Sequence, residues 1–283
     1  MIVVSVGYAF LAMASRMRIF TPGAGVTVEP RSHALVVMAK APISGAVKSR
    51  LVPPLTEDEA AALNRCFIRD ICASIDAATA MVAAESDARV AGMIAFTPAG
   101  TESAFDGLVP ASFEFIEQRG EGLAARLIHV ASDLLDAGYE SVSLMNSDSP
   151  TIPASVIAAA VTSLARPGDR IAIIGADDGG YCLIGLKRPH WRIFQDIAWS
   201  TATVFAQTLQ RVAELGLEVA RMPSWYDVDD ADSLRRLVGE LFGDRLPSAT
   251  GRFTAPATRA WLAASLTNGL TTRLGIAATD PLR

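Results

Sequence analysis

Short apolar runs alternate along the chain with longer amphipathic stretches. The first run, residues 35–39, leaves no room for a polar face, which is typical of a strand buried on both sides of a parallel sheet. Similar runs predict further strands at 90–96, 113–116, 141–145, 170–175 and 217–222. The alternation predicts a three-layer α/β/α fold, in which helices cover both faces of a mostly parallel sheet.

The clearest helix start is Thr56, because Glu59 follows it at the spacing of a capping box. Apolar residues at four-residue steps from Leu63 to Ile75 then predict a helix that runs to about Ala80. Later helices are predicted after Gly122, Pro153, Thr201 and Asp232, and over residues 258–266.

A cationic loop, residues 40–50, follows the first predicted strand; we call it the basic loop. Lys40, Lys48 and Arg50 give it three positive charges, and Gly45 interrupts any regular structure. Cations that converge just before a helix N-terminus suit an anionic ligand, and phosphate is the obvious candidate. A solvated basic loop at a domain edge explains the same residues equally well.

Carboxylates follow two other predicted strands. Asp148 comes after the strand at 141–145, and Asp177 and Asp178 come after the strand at 170–175. Ligands of parallel α/β sheets bind beyond the carboxyl ends of the strands, so these side chains share an edge with the basic loop. Carboxylates beside a phosphate site are hard oxygen ligands for Mg²⁺ or Mn²⁺. Transfer from a nucleoside di- or triphosphate suits this arrangement.

Each of these features also has a plain structural explanation. Asp148 could cap the helix that begins near Pro153, and Asp177 to Gly180 could form a tight turn. The acidic run from Asp227 to Asp232 could be a solvated helix start. Arg126, in the first turns of its helix, could simply face water.

The composition excludes some classes of function. The chain has 25 basic and 30 acidic residues, a net charge of -5, so there is no broad basic surface for nucleic acid. Three cysteines, Cys66, Cys72 and Cys182, have no C-x-x-C spacing, and we expect reduced thiols in a cytoplasmic protein. His33, His129 and His190 lack zinc-site spacing.

The ends of the chain are unlike its middle. Residues 1–15 are apolar but too short to span a bilayer, and residues 21–31 are typical of a linker; Met17 is a candidate start. We predict an N-terminal extension and linker (1–31), a nucleotide-binding transferase domain (32–243) and a C-terminal tail with a short helix (244–283).

Four ordered motifs carry a resemblance to a known family. MAKAPISGAVKSRL, SDSP, ADDGGYCLIGL and DVDDADSL resemble the motifs of a bacterial family of GT-A-like glycosyltransferases or nucleotide-diphospho-sugar transferases, over about residues 35–237. The chain departs from the family pattern at Ser49, Asn146, Cys182 and Ala231, where the family has Thr, Gly, Tyr and Pro. The basic loop is also similar to that of 2-phospholactate guanylyltransferases.

The resemblance implies a GT-A-like fold and a site for each substrate. Together with the residue types, it predicts nucleotide-binding residues Lys40, Gly45, Lys48, Arg50 and Arg126. It implies Mg²⁺ or Mn²⁺ ligands at Asp148 and Asp229. Catalytic residues are predicted at Asp148 and Asp178, and substrate-binding residues at Gly179, Gly180 and Tyr181.

Three functions remain open on the sequence alone. The first is glycosyl transfer from a nucleotide-sugar to a small acceptor, and the second is nucleotidyl transfer from an NTP to a phosphorylated small molecule. The third is nucleotide binding without catalysis, since a fold alone does not deliver function. A dinucleotide-dependent oxidoreductase is disfavoured because no G-x-G-x-x-G follows the first strand.

Overall fold

A computed structural model of the chain describes residues 17–25, 27–243 and 251–276. The apolar segment 1–16 of the predicted N-terminal extension therefore lies outside the described residues, as does 244–250 at the start of the predicted tail. In the described residues the strands are β1 (Arg18–Ile19), β2 (Ser32–Lys40), β3 (Arg89–Thr97), β4 (Glu114–Glu117), β5 (Ser141–Asn146), β6 (Arg170–Ala176), β7 (Tyr181–Leu186) and β8 (Glu218–Trp225).

These strands form one sheet in the order β1-β4-β3-β2-β5-β7-β6-β8. All neighbouring pairs are parallel except those that β7 makes with β5 and β6, so the predicted mostly parallel sheet is confirmed. Strand β7 was not predicted from the sequence. Only residues 177–180 join it to β6, and so short a connection forces the two strands to be antiparallel.

Helices cover both faces of the sheet. They are α1 (Glu57–Glu85), α2 (Gly122–Asp136), α3 (Ala154–Ala165), α4 (Val204–Glu214), α5 (Ala231–Phe242), α6 (Pro256–Ser265) and α7 (Thr271–Leu274). One core cluster packs α1 and α3 against one face, and a second packs α2 and α4 against the other. The three-layer α/β/α architecture is therefore confirmed.

Strand β2 lies at the centre, between β3 and β5. Leu35 and Val37 belong to the core cluster on one face, while Ala34 and Val36 belong to the cluster on the other. All four side chains are buried, as expected for a strand that pairs on both edges and packs on both faces. The strand ends at the exposed Lys40, which brings the basic loop to the carboxyl edge of the sheet.

The predicted capping box is present at the start of α1: Glu59 N–H donates to Thr56 Oγ1, and Thr56 N–H donates to a Glu59 carboxylate oxygen. The helix ends at Glu85, beyond the predicted Ala80, because Val82 still packs in the core.

The helix predicted after Thr201 is α4, but Thr201 does not cap it. The helix begins after Thr203, which makes no side-chain cap, while Thr201 Oγ1 donates to Ala198 O. A polar cluster before an apolar period does not by itself determine which hydroxyl reaches the free N–H groups.

Residues 251–276 pack on α1. Asp70 in α1 accepts hydrogen bonds from Ala257 N–H at 3.0 Å and Thr258 N–H at 2.7 Å, so a carboxylate of one helix caps the start of another. Leu262, Leu266 and other apolar residues of this segment share a third core cluster with α1 and α5. The helix predicted at 258–266 is therefore α6, at Pro256–Ser265.

The cysteines and the helix lengths bear on the environment of the chain. Cys66, Cys72 and Cys182 are free thiols. Among the residues with described positions, no helix is both long and apolar enough to cross a bilayer.

The ion pair between Glu59 and Arg273 predicts an acid-sensitive contribution to stability. Hydrogen bonds from Arg273 lower the pKa of Glu59 to about 2, so the pair stabilises the fold above pH 4.5 and loses its effect as pH falls towards 2. Glu59→Gln keeps a capping-box side chain but removes the charge. We expect it to lower the free energy of unfolding at pH 7 by about 0.5–1 kcal/mol, the range of partly exposed pairs.

Urea unfolding at pH 7 and pH 3 measures this difference, which we expect to shrink at the lower pH. Glu57→Gln, in the same helical turn, removes an equal charge without that partner and serves as the control. If the free energies of unfolding of Glu59→Gln and the wild type differ by the same amount at pH 7 and pH 3, the prediction is contradicted.

Candidate functional site: a buried ammonium between two clefts

The Lys48 side chain joins three segments that are far apart in the sequence. Its ammonium lies 2.7 Å from a carboxylate oxygen of Asp148 and 2.8 Å from one of Asp229. It also donates to Val228 O at 2.8 Å, so all three N–H donors have an acceptor. The predicted meeting of the basic loop with Asp148 and Asp229 is therefore confirmed in geometry.

The backbone of the basic loop turns this lysine inward. Lys48 has φ 52°, ψ 37°, a left-handed conformation that is uncommon for residues other than glycine, and a short 3₁₀ turn begins at Ser49. Only 5% of the side chain is exposed, and its ammonium lies 5.4 Å from the centre of the Phe67 ring in α1. Arg50, by contrast, is 70% exposed and pairs with Asp229.

The loop before α5 brings the second carboxylate to the same place. Val228 N–H donates to Asp148 O at 2.9 Å, which joins this loop to the end of β5. Asp230 caps α5 through a capping box with Ser233, so the side chain of Asp229 remains available for Lys48 and Arg50. The acidic helix start therefore divides its roles: one aspartate caps the helix and its neighbour faces the site.

The ion pairs shift the protonation equilibria of the residues involved. Burial alone would lower the pKa of Lys48, but Asp148 and Asp229 outweigh it, so the pKa is raised. Burial likewise opposes the shift at Asp229, where Lys48 and Arg50 hold the pKa below its ordinary value. Lys48 and Asp229 therefore both stay charged at neutral pH.

A first cleft of about 350 Å³ lies beside the basic loop. Four cationic side chains line it, those of Lys40, Lys48, Arg50 and Arg126. Of the predicted nucleotide-binding residues, only Gly45 is absent from this wall. Its φ of 73° serves the turn of the loop instead, a conformation that glycine adopts readily.

A second cleft, of about 680 Å³, adjoins the first and shares part of its lining. Both clefts are lined by Arg50, Leu123, Asp148 and Asp229. The second cleft also contains Asp178, Gly180 and Tyr181 of the predicted substrate side. Volumes of this size are usual for small-molecule sites.

The segment from Asp177 to Gly180 is a tight turn between β6 and β7, which was the plain alternative for these residues. Gly180 N–H donates to Asp178 Oδ1 at 2.8 Å, and Gly179 N–H donates to Ala176 O at 3.1 Å. Space beside Gly179 is taken by the chain itself, since an added Cβ would lie 2.1 Å from Ala202 O. On that side the Gly179 backbone packs against Ala202, and its role in substrate binding stays a prediction.

Asp227 belongs to the site, although the sequence analysis assigned it no role. Burial, reinforced by the carboxylates of Asp229, Asp178 and Asp148, raises its pKa to about 6. Trp199, whose ring lies 6.4 Å edge-on from that of Tyr181, is a second residue that was missed. Asp227 stands in the same acidic run as Asp229, and this run was the available signal. For Trp199 the signal was the AWST segment, residues 198–201, which also matches the family pattern.

A search of curated proteins gave no match to this chain. A family described as an uncharacterized protein conserved in bacteria (DUF2064) matches residues 79–201. The matched segment includes Asp148 and Asp178 but not the basic loop or Asp229.

A solved structure from Desulfovibrio desulfuricans G20, provisionally assigned as a nucleotide-diphospho-sugar transferase, is 27% identical in sequence. The match covers 85% of this chain and 97% of that one, with a TM-score of 0.69. The chain therefore has the GT-A-like fold of nucleotide-diphospho-sugar transferases, with its mixed eight-stranded sheet between helices.

Weaker likenesses concern two other solved structures. CMP:2-keto-3-deoxy-manno-octonic acid synthetase with CTP is 12% identical, covers 83% of this chain and 100% of that one, and has a TM-score of 0.44. Glucosyl-3-phosphoglycerate synthase from Mycobacterium tuberculosis, with Mn²⁺ and UDP, is 12% identical, covers 88% and 82%, and has a TM-score of 0.41. Neither similarity bears on the site of this chain.

The raised pKa of Asp227 predicts a stability difference that depends on pH. A carboxyl whose folded pKa is about 6 favours folding in its protonated form, and this contribution is lost as pH rises from about 4 through 6. Asp227→Asn is therefore expected to stabilise the protein above pH 6, by about 1–2 kcal/mol after allowance for solvent screening, and to have little effect near pH 4.

Urea unfolding at pH 4.5 and pH 8 checks this, and Asp106→Asn is a control at a carboxylate outside both clefts. If Asp227→Asn and the wild type have the same free energy of unfolding at pH 8, the predicted destabilisation by the Asp227 carboxylate is refuted.

Proposed function

We propose that this chain is a metal-dependent transferase that moves a glycosyl group from a nucleotide-sugar to a small acceptor. One observation carries the proposal: a cation-lined cleft and a carboxylate-lined cleft share Arg50, Asp148 and Asp229. A nucleotide-sugar has matching chemistry, with an anionic diphosphate joined to an uncharged sugar. The similar protein from Desulfovibrio desulfuricans, provisionally a nucleotide-diphospho-sugar transferase, supports the same class.

The first cleft suits the nucleotide part of the donor. Lys40, Lys48, Arg50 and Arg126 would bind its phosphates, and Arg50 can bind two phosphate oxygens at once. Gly45 would act indirectly, through the turn of the basic loop. Since Arg50 is mostly exposed, it can exchange its contact with Asp229 for a phosphate at little cost.

Asp178 is the proposed catalytic carboxylate on the acceptor side. One of its oxygens is held by Gly180 N–H, which orients the group and leaves the other oxygen to accept a proton. In the proposed reaction the acceptor hydroxyl oxygen bonds to the anomeric carbon while the bond from that carbon to the diphosphate breaks. The hydroxyl proton passes to Asp178, and the nucleoside diphosphate leaves. Gly180 and Tyr181 line this cleft beside the transferred sugar, whereas Gly179 only supports the turn.

The donor atoms of the site fit a divalent cation. Four carboxylates, of Asp148, Asp178, Asp227 and Asp229, face two cationic groups, of Lys48 and Arg50, which leaves two negative charges. Among the described residues, no group of three or more ligands is ready to hold a metal. Mg²⁺ is commonly bound by one or two carboxylates together with substrate phosphates, so Asp148 and Asp229 would hold Mg²⁺ or Mn²⁺ only with the donor present. A cation there would offset charge on the leaving diphosphate.

Calorimetric titration with UDP- and GDP-sugars in the presence of Mn²⁺ tests donor binding. Arg50→Ala is expected to raise the dissociation constant by about 10-fold, since charge-assisted hydrogen bonds contribute about 1.5–3 kcal/mol. Arg89→Ala removes a comparable exposed ion pair away from both clefts and should leave binding unchanged. If none of these nucleotide-sugars binds, the proposal is refuted.

The ammonium of Lys48 stands between the two proposed metal ligands, so we expect metal and nucleotide to bind cooperatively. Lys48→Met should bind Mn²⁺ alone more tightly than the wild type, because the carboxylates then lack their cation. In the wild type, bound nucleotide would draw the lysine from the carboxylates to the phosphates and so raise the affinity for Mn²⁺. The variant has no lysine to move, so nucleotide should no longer raise its Mn²⁺ affinity in this way.

Paramagnetic resonance of free Mn²⁺, with and without UDP or GDP, measures both effects without reference to turnover. Lys187→Met removes a lysine that bonds to backbone carbonyls away from the clefts and is the control. Equal Mn²⁺ affinity of Lys48→Met and the wild type, with no nucleotide present, would contradict this account.

Nucleotidyl transfer is a second candidate, because four cationic side chains around the first cleft also suit a triphosphate. It differs in its product: an NTP and a phosphorylated acceptor would release pyrophosphate, whereas a nucleotide-sugar releases a nucleoside diphosphate. Pyrophosphate release from GTP or CTP, across a panel of phosphorylated acceptors, distinguishes the two. Nucleotide binding with no turnover on either panel would favour a binding protein on the same fold.

A further inference from the structure

The walls of the second cleft have a strongly one-sided charge. Four carboxylates, of Asp148, Asp178, Asp227 and Asp229, line it together with a single cationic side chain, that of Arg50. Arg50 is already paired with Asp229, and Lys48, which lines the first cleft, pairs with Asp148 and Asp229. Among the described residues, no further lysine, arginine or histidine lines this cleft. An anionic group in it would therefore meet repulsion from at least two carboxylates.

The other walls are apolar or neutral. Tyr181 and Trp199 form an edge-to-face aromatic pair with an angle of 77° between the rings. Leu123, 47% exposed at the boundary with the first cleft, extends the apolar surface. The exposed Ser200 adds a hydroxyl at the rim. Carboxylates that accept hydrogen bonds opposite aromatic rings suit a molecule with many hydroxyl groups and apolar C–H faces.

Filling the first cleft does not reverse the charge of the second. The diphosphate of a bound donor brings negative charge, and a divalent cation approximately cancels it. Asp178 and Asp227 remain on the acceptor side without a cationic partner in the described residues. Asp177, next to Asp178, already pairs with Arg236.

We propose that the acceptor is a polyhydroxylated molecule, neutral or cationic, that carries no phosphate or carboxylate group. This inference rests on the proposed glycosyl transfer and names the substrate class of its second cleft. It separates the two candidate reactions as well, because the acceptor of a nucleotidyl transfer must itself offer an anionic oxygen, usually of a phosphate.

Matched acceptors with one scaffold and different charge test the proposal. The protein is first saturated with Mn²⁺ and UDP or GDP, whichever binds more tightly by calorimetry. It is then titrated with methyl glucoside, glucosamine, glucose 6-phosphate and glucuronate. Binding is measured by calorimetry and by quenching of Trp199 fluorescence, and Trp199→Phe identifies the part of the signal that comes from the cleft.

We expect the neutral and amino compounds to bind about 10-fold or more tightly than the phosphate and carboxylate compounds, the scale of unit charges interacting near a protein surface. Higher salt should narrow this gap, because it screens the repulsion. Asp178→Asn keeps an oxygen for Gly180 N–H but removes a charge, so it should narrow the gap too. Asp87→Asn, at a fully separate exposed ion pair, should not.

The outcomes separate the two levels of the argument. If neither UDP nor GDP binds with Mn²⁺, the proposed function itself fails. If nucleotide binds but glucose 6-phosphate or glucuronate binds as tightly as methyl glucoside, the acceptor class is overturned while the donor site stands. If nucleotide binds and none of the four compounds binds at millimolar concentration, the second cleft is not an acceptor site for hexose-like molecules, and the inference is overturned as well.

Discussion

The arrangement of the site depends on the contacts of the Lys48 ammonium. It binds Asp148 at the end of β5, Asp229 before α5 and the carbonyl of Val228, residues that lie 100 to 181 positions away in the chain. A buried ion pair adds little net stability, because desolvation offsets the attraction, but removal of one partner costs about 3–5 kcal/mol. The contact therefore matters chiefly because it determines which segments meet. With Lys48 in place, the basic loop, the central strands and the acidic loop can adopt only a narrow range of relative positions.

This constraint produces a site with two unlike sides. The parallel strands β2 and β5 end at the same edge of the sheet, and β2 delivers cations there while β5 delivers a carboxylate. Four cationic side chains line the first cleft, and four carboxylates with an aromatic pair line the second. A molecule that is anionic at one end and rich in hydroxyl groups at the other matches both sides, whereas a uniformly charged molecule matches only one. The polarity of the site thus follows from the order of strands in the sheet.

Much of the fold could be predicted from local patterns. The apolar run of β2 is buried because its alternating side chains feed cores on both faces, and the capping box of Thr56 and Glu59 begins α1 where the spacing predicted it. Prediction failed where the outcome depended on a neighbour. Thr201 does not cap α4, because its hydroxyl donates to Ala198 O instead. The antiparallel strand β7 was available from the sequence, since an Asp-Gly-Gly turn followed by an apolar run is typical of a hairpin.

The sequence by itself determined the layers of the fold, the strands that end at the binding edge and the residue types gathered there. These follow from hydrophobic periodicity and from the rule that ligands bind at the carboxyl ends of parallel strands. Only the tertiary structure decided how the charges combine: that Lys48 lies between two carboxylates, that Asp230 rather than Asp229 caps α5, and that Asp227 faces three other carboxylates. The physical reason is that electrostatic energies depend on distance and burial, and neither quantity is encoded in the spacing of residues a hundred or more positions apart.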